Sequence, residues 1–302
     1  MKTDVLLNVF GKPWQTLLSI FSLLNYSDRY IGKFYISFEP VDVVIDGVEN
    51  YKSIILDRLK REIRDRVVIY TPKHWFRSDI PYDNNLSKDT RYRHSVRYQY
   101  GWERSREDYV FITHNDVEFT GDILGHLHSK IDDSIGVGDI GQCWNCPLSW
   151  ENVCCSENYF DKRLSHKELR EIYWSSIPPK GLVKRPYHSP KFNKTIEDFS
   201  WPTPECRINE WSALINLKIA REITQPNGKI VPFGSKWGEV TVFDTGVEWF
   251  RGISNLGYRF VHTDIYRYLI HNAGKPVMGN KELYISKERH AKEVLENKFG
   301  IK

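Results

Sequence analysis

The most informative stretch of the 302-residue chain is Tyr109-Val-Phe-Ile-Thr-His-Asn-Asp-Val-Glu-Phe119. Its first five residues are aromatic, aliphatic or β-branched and predict a buried strand, and polar and acidic residues follow at once. In open parallel sheets, ligands bind outside the carboxyl ends of the strands. If the extended conformation continued, His114, Asp116 and Glu118 would share one face, where oxygen ligands could hold a divalent cation. A strand-ending turn or a helix N-cap explains the same residues equally well.

Short apolar runs alternate with helical patterns around this stretch. Strands are predicted over residues 4–10, 33–38, 66–70, 108–113 and 134–137, and helices start near residue 13 and cover 51–64 and 121–130. Strands that alternate with helices indicate an α/β fold, with a mostly parallel sheet and helices on both faces.

The regular pattern stops near residue 139. Residues 140–204 are rich in Cys, Trp, Pro and Asn and contain one helical interval near 166–174. A loop-rich segment of this length is usually functional. Helices are then predicted over 210–223, 247–255 and 281–297, and strands over 240–243 and 258–261. Trp211 is interpreted as the start of the first of these helices.

The composition excludes several classes of protein. The chain carries 43 Lys and Arg against 39 Asp and Glu, a net charge of +4 that is too small to indicate nucleic-acid binding. Its 10 Trp, 17 Tyr and 15 Phe exclude a disordered chain. No apolar run approaches the ~20 residues that a bilayer crossing needs, and the start of the chain shows no secretory leader. We therefore expect a cytoplasmic protein, with the inner face of the membrane as a place where it could rest on anionic lipid.

The segment His114-Asn-Asp-Val-Glu-Phe-Thr120, before Gly121-Asp-Ile-Leu124, resembles a signature of family 2-like glycosyltransferases with the GT-A fold. In that family the motif is Asp-x-Asp, or a degenerate form that keeps the last acid. Asp116 matches that acid, and His114 stands in place of the first. The resemblance implies that Asp116 and Glu118 take part in a Mn²⁺ or Mg²⁺ site and that Asn115 contributes to donor binding.

Two downstream segments resemble later parts of the same family. Phe243-Asp-Thr-Gly-Val-Glu-Trp-Phe-Arg251, followed by Asn255-Leu-Gly-Tyr-Arg-Phe260, resembles the stretch that carries the catalytic Asp. The resemblance implies that Asp244 is the general base, with Glu248 as a substitute one turn later. A simple N-cap of the following helix also explains Asp244. His271 resembles the late histidine that completes the family's metal site.

The donor side of the family's site has counterparts near the start of the chain. The segment Leu6-Leu-Asn-Val-Phe-Gly-Lys-Pro-Trp-Gln-Thr-Leu17 resembles the first strand and helix, which implies a donor contact for Asn8. Glu39 lies where a family acid meets the nucleobase. Arg97 lies in a basic and aromatic stretch, and its guanidinium suits diphosphate oxygens, although a solvated helix face explains most of that stretch. Lys12 is interpreted as a surface lysine.

The implied activity is an inverting transfer of the hexosyltransferase type. A sugar would move from a nucleoside-diphosphate sugar to a hydroxyl of a glycan or a lipid-linked sugar, with a cation on the leaving diphosphate and a base on the acceptor. Residues 1–139 would bind the nucleotide sugar and 210–275 would carry the catalytic and acceptor half. Residues 140–209 would form a Cys-rich insertion, and 276–302 a helical tail.

Four of the five cysteines fall within thirteen residues. Four thiolates around Zn²⁺ form a closed structural site, and such a set would come from Cys143, Cys146, Cys206 and one of Cys154 and Cys155. The alternative is that these side chains are buried as small apolar residues.

Two other functions remain open from the sequence alone. One is a nucleotidyltransferase on a similar sheet, although the chain lacks a Gly-rich phosphate loop after its first strand. The other is a zinc-stapled nucleic-acid-binding module that uses the basic stretch at 91–106. The resemblance favours the glycosyltransferase and predicts no nucleic-acid partner.

Overall fold

The computed structural model describes residues 1–40, 50–74, 76, 82–182, 201–235, 244–272 and 280–301. The strands are β1 (Thr3–Val9), β2 (Ile31–Phe38), β3 (Val67–Tyr70), β4 (Tyr109–Thr113), β5 (Val117–Phe119), β6 (Gly136–Ile140), β7 (Ile208–Asn216), β8 (Phe260–His262) and β9 (Leu269–His271). The helices are α1 (Pro13–Ser27), α2 (Tyr51–Glu62), α3 (Thr90–His94), α4 (Gln99–Arg104), α5 (Ile123–His128), α6 (Pro147–Trp150), α7 (His166–Ser175), α8 (Leu217–Ile223), α9 (Val247–Asn255) and α10 (Lys281–Phe299).

Seven strands form one sheet in the order β3-β2-β1-β4-β7-β6-β8. Each pair in it is parallel except the two that involve β7, which runs antiparallel to both β4 and β6. The predicted α/β fold with a mostly parallel sheet is therefore confirmed. Among the described strands of this sheet, only β7 runs opposite to the others. Its first residues therefore lie at the edge where the parallel strands end.

Both faces of the sheet are covered by helices. Strand alternation in β1 directs Val5 and Leu7 to one face and Leu6 to the other. The first face packs against α1, α2, α5 and α10, and the second against α4, α7, α8 and α9. The near-continuous apolar sequence of the central strands follows from this burial on two sides.

The predicted helix over 210–223 is wrong in its first half. Residues up to Asn216 form β7, and the helix α8 begins only at Leu217, where the Asn216 side chain accepts a hydrogen bond from the Ile219 N–H. The apolar residues of a doubly buried strand need not alternate, so their spacing imitated a helix. Trp211 therefore belongs to a strand. The strand predicted over 240–243 lies outside the described residues.

A second, two-stranded sheet joins distant parts of the sequence. β5 pairs with β9 in antiparallel fashion, with Val117 opposite His271. The Asn272 N–H also donates to the Asp116 carbonyl at 2.9 Å. This pairing brings His271 beside the turn that follows β4.

The C-terminal helix α10 packs on α1. Its buried Glu288 accepts hydrogen bonds from the backbone N–H groups of Trp14 and Gln15, at 2.9 and 3.2 Å, and so occupies the start of α1. A carboxylate is stabilised there by the free N–H groups and the helix dipole. None of the helices in the described part of the chain combines the length and the hydropathy that a bilayer crossing requires.

Candidate active site

Polar residues collect at one edge of the large sheet. Asn8 lies near the end of β1, Glu39 directly follows β2, His114 follows β4, and Asp139 and His262 lie at the ends of β6 and β8. The carboxyl ends of parallel strands are where open α/β sheets bind their ligands. The order of the strands therefore fixes the order of these side chains along the edge.

The centre of this edge is a group of three potential metal ligands. One ligand atom each from His114, Asp116 and His271 lies within 4.8 Å of the other two. His271 Nε2 is 3.4 Å and His114 Nδ1 is 3.7 Å from Asp116 Oδ1. The predicted meeting of Asp116 with His271 is thus found in the structure, and we call these three residues the His-Asp-His group.

Two atoms of the group are buried and lack hydrogen bonds. Asp116 Oδ1 and His271 Nε2 face each other at 3.4 Å, and neither makes a hydrogen bond of good geometry with any described residue. Buried polar atoms without partners are costly, and they mark places where an ion or water belongs. Two imidazole nitrogens and a carboxylate oxygen are accepted ligands of Mn²⁺ and other divalent transition metals. The residues therefore fit a divalent cation.

The second carboxylate oxygen of Asp116 binds Lys12. Lys12 Nζ lies 2.6 Å from Asp116 Oδ2, and only 5% of Lys12 and 2% of Asp116 are exposed. The interpretation of Lys12 as a surface lysine is wrong. Burial alone would raise the pKa of Asp116, but His271, Lys12 and His114 together hold that pKa well below its ordinary value. Asp116 is therefore a permanent anion.

A buried acid orients His114 from its other side. Glu210 Oε1 lies 3.3 Å from His114 Nε2, and Glu210 Oε2 accepts a hydrogen bond from the Tyr98 hydroxyl at 3.0 Å. Burial would raise the pKa of Glu210, but the nearby His114, Arg97 and Arg207 lower it strongly. A carboxylate on the far nitrogen of a ligating histidine fixes its tautomer and ring orientation, so His114 is directed with Nδ1 towards Asp116.

Three of the residues predicted to contact the donor lie together on the β1–β2 side of the group. Glu39 Oε1 accepts hydrogen bonds from Arg97 Nε at 3.0 Å and from Asn8 Nδ2 at 3.3 Å. Asn115 has a different environment, because its buried amide donates to Thr16 Oγ1 at 3.0 Å. We call Asn8, Glu39 and Arg97 the donor-side triad after the role predicted for them, and their hydrogen bonds hold them together. Asn115 instead contacts the start of α1.

On the other side of the group, three alternate residues at the start of β7 form a row. Trp211 stacks on the His271 ring, with centroids 5.2 Å apart. Asn209 Nδ2 donates to Asp139 Oδ2 at 2.9 Å. Arg207 Nη2 lies 3.1 Å from Asp244 Oδ2.

Asp244 is therefore linked to the His-Asp-His group through this row. It does not contact the group directly, and 52% of its side-chain surface is exposed. Glu248 lies in the first turn of α9, next along the chain.

Asp139 is a second carboxylate on this side of the group. It lies two strands from β4, a spacing of about 10 Å. Its Oδ2 also accepts a hydrogen bond at 3.2 Å from the hydroxyl of Tyr266, a residue that is 57% exposed. Burial raises the pKa of Asp139. Asp139 and Tyr266 together give this side an acid and an exposed aromatic ring.

The structure places Glu118 outside the group. The chain turns at Asn115 and Asp116, so strand alternation does not continue from β4 into β5. Glu118 is buried on β5, with Oε2 3.7 Å from His290 Nε2 of α10. The expectation that Glu118 would share a face with His114 and Asp116 is therefore not met.

The five cysteines are all free thiols. No three of them bring their sulfurs within the 4.8 Å that the His-Asp-His group shows, and all five lie in the described part of the chain. Cys146, Cys154 and Cys206 pack into the hydrophobic core beneath the sheet. Burial raises the pKa of the Cys143 and Cys146 thiols, which favours the thiol over the thiolate that zinc binds. The zinc prediction receives no support from this geometry.

Sequence reasoning missed several residues of this edge, which are Lys12, Asp139, Arg207, Asn209, Glu210 and Trp211. Four of these lie in or beside β7, whose position depends on its pairing with β4 and β6. A signal was present in Arg207-Ile-Asn-Glu-Trp211, where polar residues precede an apolar run. An antiparallel strand begins at the edge of the sheet where its parallel neighbours end. Polar residues at its start therefore reach the same edge as acids at the end of a parallel strand.

Comparison with known proteins finds matches among solved structures only. No protein-family model and no curated sequence matches the chain. Among solved structures, it is similar to the mannosyltransferase PcManGT from Pyrobaculum calidifontis in complex with GDP-Man and Mn²⁺, with 9% identity, a TM-score of 0.42, and coverage of 87% of this chain and 54% of that one.

Two further solved structures are similar. TarS residues 1–349 from S. aureus has 9% identity and a TM-score of 0.43, with 98% of this chain and 66% of that one covered. The galactosyltransferase LgtC, in complex with donor and acceptor sugar analogues, has 10% identity and a TM-score of 0.42, with 87% and 74% covered. The chain thus spans between about half and two thirds of the first two proteins' length.

The strand order itself shows an α/β fold with a mostly parallel sheet, and the GT-A type stays a prediction from the resemblance. At identities of 9–10% and TM-scores of 0.42–0.43, these matches carry no argument about this chain.

Proposed function

We propose that the chain is a metal-assisted glycosyltransferase that uses a nucleoside-diphosphate sugar. The observation that carries this proposal is the His-Asp-His group at the ligand edge of the sheet, with unpartnered buried ligand atoms. A donor-side triad lies on one flank of the group, and carboxylates lie on the other. This order along one edge suits a diphosphate at the centre, a nucleoside on one side and an acceptor on the other.

Asp116, His271 and His114 would hold the cation. A divalent cation at this point supplies positive charge to the diphosphate as it leaves the sugar. Histidine nitrogens favour Mn²⁺ over Mg²⁺, which prefers oxygen ligands. Lys12 and Arg97 add fixed positive charge on the donor side.

The acceptor would approach from the β7–β6 side. Asp244 is the proposed general base, which takes the proton of the acceptor hydroxyl as its oxygen bonds to the anomeric carbon. Arg207 orients the Asp244 carboxylate at 3.1 Å. Attack from the face opposite to the leaving diphosphate inverts the anomeric carbon. An exposed aromatic ring such as that of Tyr266 suits the apolar face of a sugar, so the acceptor is proposed to be a glycan or a lipid-linked sugar.

Different ranges of the chain would supply different parts of the proposed site. Residues 1–139 supply the donor side and two ligands of the group, and residues 210–275 supply His271 and Asp244. Residues 140–209 are proposed to be a Cys-rich insertion, although β7 of the main sheet already begins at Ile208, and the tail at 276–302 contains α10. We place the protein in the cytoplasm, and a lipid-linked acceptor would bring it to the inner face of the membrane.

Thermal shift against a panel of nucleoside diphosphates and their sugars, with and without Mn²⁺, tests this proposal. We expect one nucleoside diphosphate to raise the melting temperature only when Mn²⁺ is present. The Asp116→Asn variant should lose this rise. Incubation with the selected donor should then release a nucleoside diphosphate. Release of pyrophosphate from a nucleoside triphosphate in a parallel incubation with a sugar phosphate would instead indicate a nucleotidyltransferase. A panel without any Mn²⁺-dependent stabilisation would contradict the proposal.

A further inference from the structure

Lys12 is held in an unusual backbone conformation beside the His-Asp-His group. Gly11 and Lys12 both have positive φ, at 63° and 53°, directly before Pro13 begins α1. The left-handed region is unfavourable for a residue with a side chain. The surroundings stabilise it, because the Lys12 N–H donates to the Tyr284 hydroxyl at 3.1 Å and the Lys12 carbonyl accepts from the Thr16 N–H at 2.8 Å.

This backbone directs the ammonium group of Lys12 onto the metal ligand. Nζ lies 2.6 Å from Asp116 Oδ2, and both side chains are almost completely buried. The opposite oxygen, Oδ1, faces His271 and His114. One carboxylate is therefore shared, with a fixed cation on one oxygen and two potential metal ligands at the other.

The contact of Asp116 with Lys12 determines the net charge of the ligand set. Asp116 is the one acid of the His-Asp-His group, and histidines that bind a metal are neutral. Lys12 offsets the single negative charge of Asp116. The carboxylate of Glu210 lies on the far side of His114 and has Arg97 and Arg207 nearby. A divalent cation that enters alone would therefore meet a ligand set with little net negative charge, and it would be repelled by the ammonium on the other oxygen of Asp116.

We propose that Lys12 makes binding of the cation depend on a diphosphate. The ammonium keeps the affinity for the free cation low, and the diphosphate brings the negative charge that both the cation and Lys12 need. Coupling of this kind is reciprocal, so the cation strengthens diphosphate binding by the same factor. The inference rests on the proposed function for its choice of a diphosphate as the anion.

The test is Mn²⁺ binding to the full chain, measured by electron paramagnetic resonance with and without inorganic pyrophosphate. Parallel titrations without protein correct for the Mn²⁺–pyrophosphate complex in solution. For the unmodified chain we expect pyrophosphate to tighten Mn²⁺ binding by about tenfold or more. The absence of any such tightening would overturn the proposal.

Variants of Lys12 isolate the charge. Lys12→Gln keeps an N–H donor for Asp116 Oδ2 but removes the charge, so Mn²⁺ alone should bind about tenfold more tightly and the effect of pyrophosphate should shrink. Lys12→Arg keeps the charge and should retain the coupling. Lys60→Met, at an exposed position on α2, is the matched control and should behave as the unmodified chain. Equal Mn²⁺ affinity in Lys12→Gln and the unmodified chain would overturn the proposal.

The outcomes separate this inference from the proposed function. Mn²⁺ binding that Asp116→Asn leaves intact would place the cation elsewhere and would overturn both. Coupling between Mn²⁺ and pyrophosphate without any sugar transfer would support the role of Lys12 and contradict the glycosyltransferase. If the Lys12→Gln chain fails to fold, the pyrophosphate effect on the unmodified chain still decides the proposal.

Discussion

The His-Asp-His group joins residues that are far apart in the sequence, whereas the cysteines are close in the sequence and do not converge in the structure. Asp116 and His271 are far apart in the sequence, yet pairing of β5 with β9 brings their ligand atoms to 3.4 Å. Four cysteines lie within thirteen residues, yet no three of the described thiols converge on one point. In this chain, therefore, the pairing of strands brings potential metal ligands together, and closeness in sequence does not.

The largest expected effect is the loss of Asp116. Asp116→Asn should abolish Mn²⁺ binding, and it leaves Lys12 buried without its counter-charge, which typically costs about 3–5 kcal/mol of unfolding free energy. Chemical denaturation and Mn²⁺ titration measure the two effects. Glu118→Gln is the matched control, because Glu118 lies outside the group. Loss of Mn²⁺ binding in Glu118→Gln as well would show that Glu118 takes part in binding the cation.

The next effect concerns the acceptor side. Asp244→Asn should slow transfer by about 10²–10⁴-fold, because a general base contributes on this scale, and the affinity for the nucleotide sugar should not change. Initial rates and donor titration check both statements.

Two neighbouring carboxylates serve as controls for Asp244. Glu248→Gln should have a smaller effect on transfer. Asp139→Asn tests the other acid that the row on β7 holds, beside Asn209. A larger rate loss in Asp139→Asn than in Asp244→Asn would assign the base to Asp139.

A smaller effect is expected on stability at low pH, and it concerns His128, which lies outside the His-Asp-His group. His128 Nε2 lies 2.8 Å from Thr3 Oγ1 and its ring stacks on Tyr30, and burial lowers its pKa to about 4. The unfolded chain binds this proton more readily, near pH 6.5. Stability should therefore fall as the pH drops from about 6.5 to about 4.

Melting curves at several pH values measure this fall. His128→Gln keeps a polar contact for Thr3 and should flatten the pH dependence in that window. Mn²⁺ binding should be unchanged in this variant, because His128 lies outside the His-Asp-His group. An unchanged pH profile would show that His128 is not responsible.

The smallest effect is expected at the cysteines. Because no three of the thiol sulfurs, all in the described part of the chain, lie within 4.8 Å of one another, the purified chain should contain well below one zinc per chain, and a chelator should not unfold it. Elemental analysis and melting curves with EDTA test this. Stoichiometric zinc, lost together with the structure on chelation, would show that the cysteine segment is a metal site after all.

Local sequence patterns predict much of the fold. The buried strand at 109–113 and the helix at 247–255 follow from apolar runs and helical spacing. β7 could not be predicted in this way, because its direction and position come from pairing with β4 and β6. Because residues 210–223 were interpreted as one helix, the sequence did not indicate that Glu210, Trp211 and the rest of the row at the start of β7 lie at the candidate site.

The structure brings together several of the residues that the resemblance supplied. Asp116 and His271 meet as expected, and Asn8, Glu39 and Arg97 lie together. The role of Lys12 was not predictable, because nothing in Gly11-Lys-Pro13 shows that a left-handed backbone would direct this ammonium inwards. Such a contact depends on Tyr284 of α10, far away in the sequence.

One cation is proposed to be held jointly by His114 and Asp116, in the turn between β4 and β5, and by His271 at the end of β9. Pulsed electron paramagnetic resonance of bound Mn²⁺ counts the coupled histidine nitrogens. We expect two in the unmodified chain, and one in each of His114→Gln and His271→Gln. Bound Mn²⁺ with no histidine coupling, or a spectrum that neither substitution alters, would contradict the account.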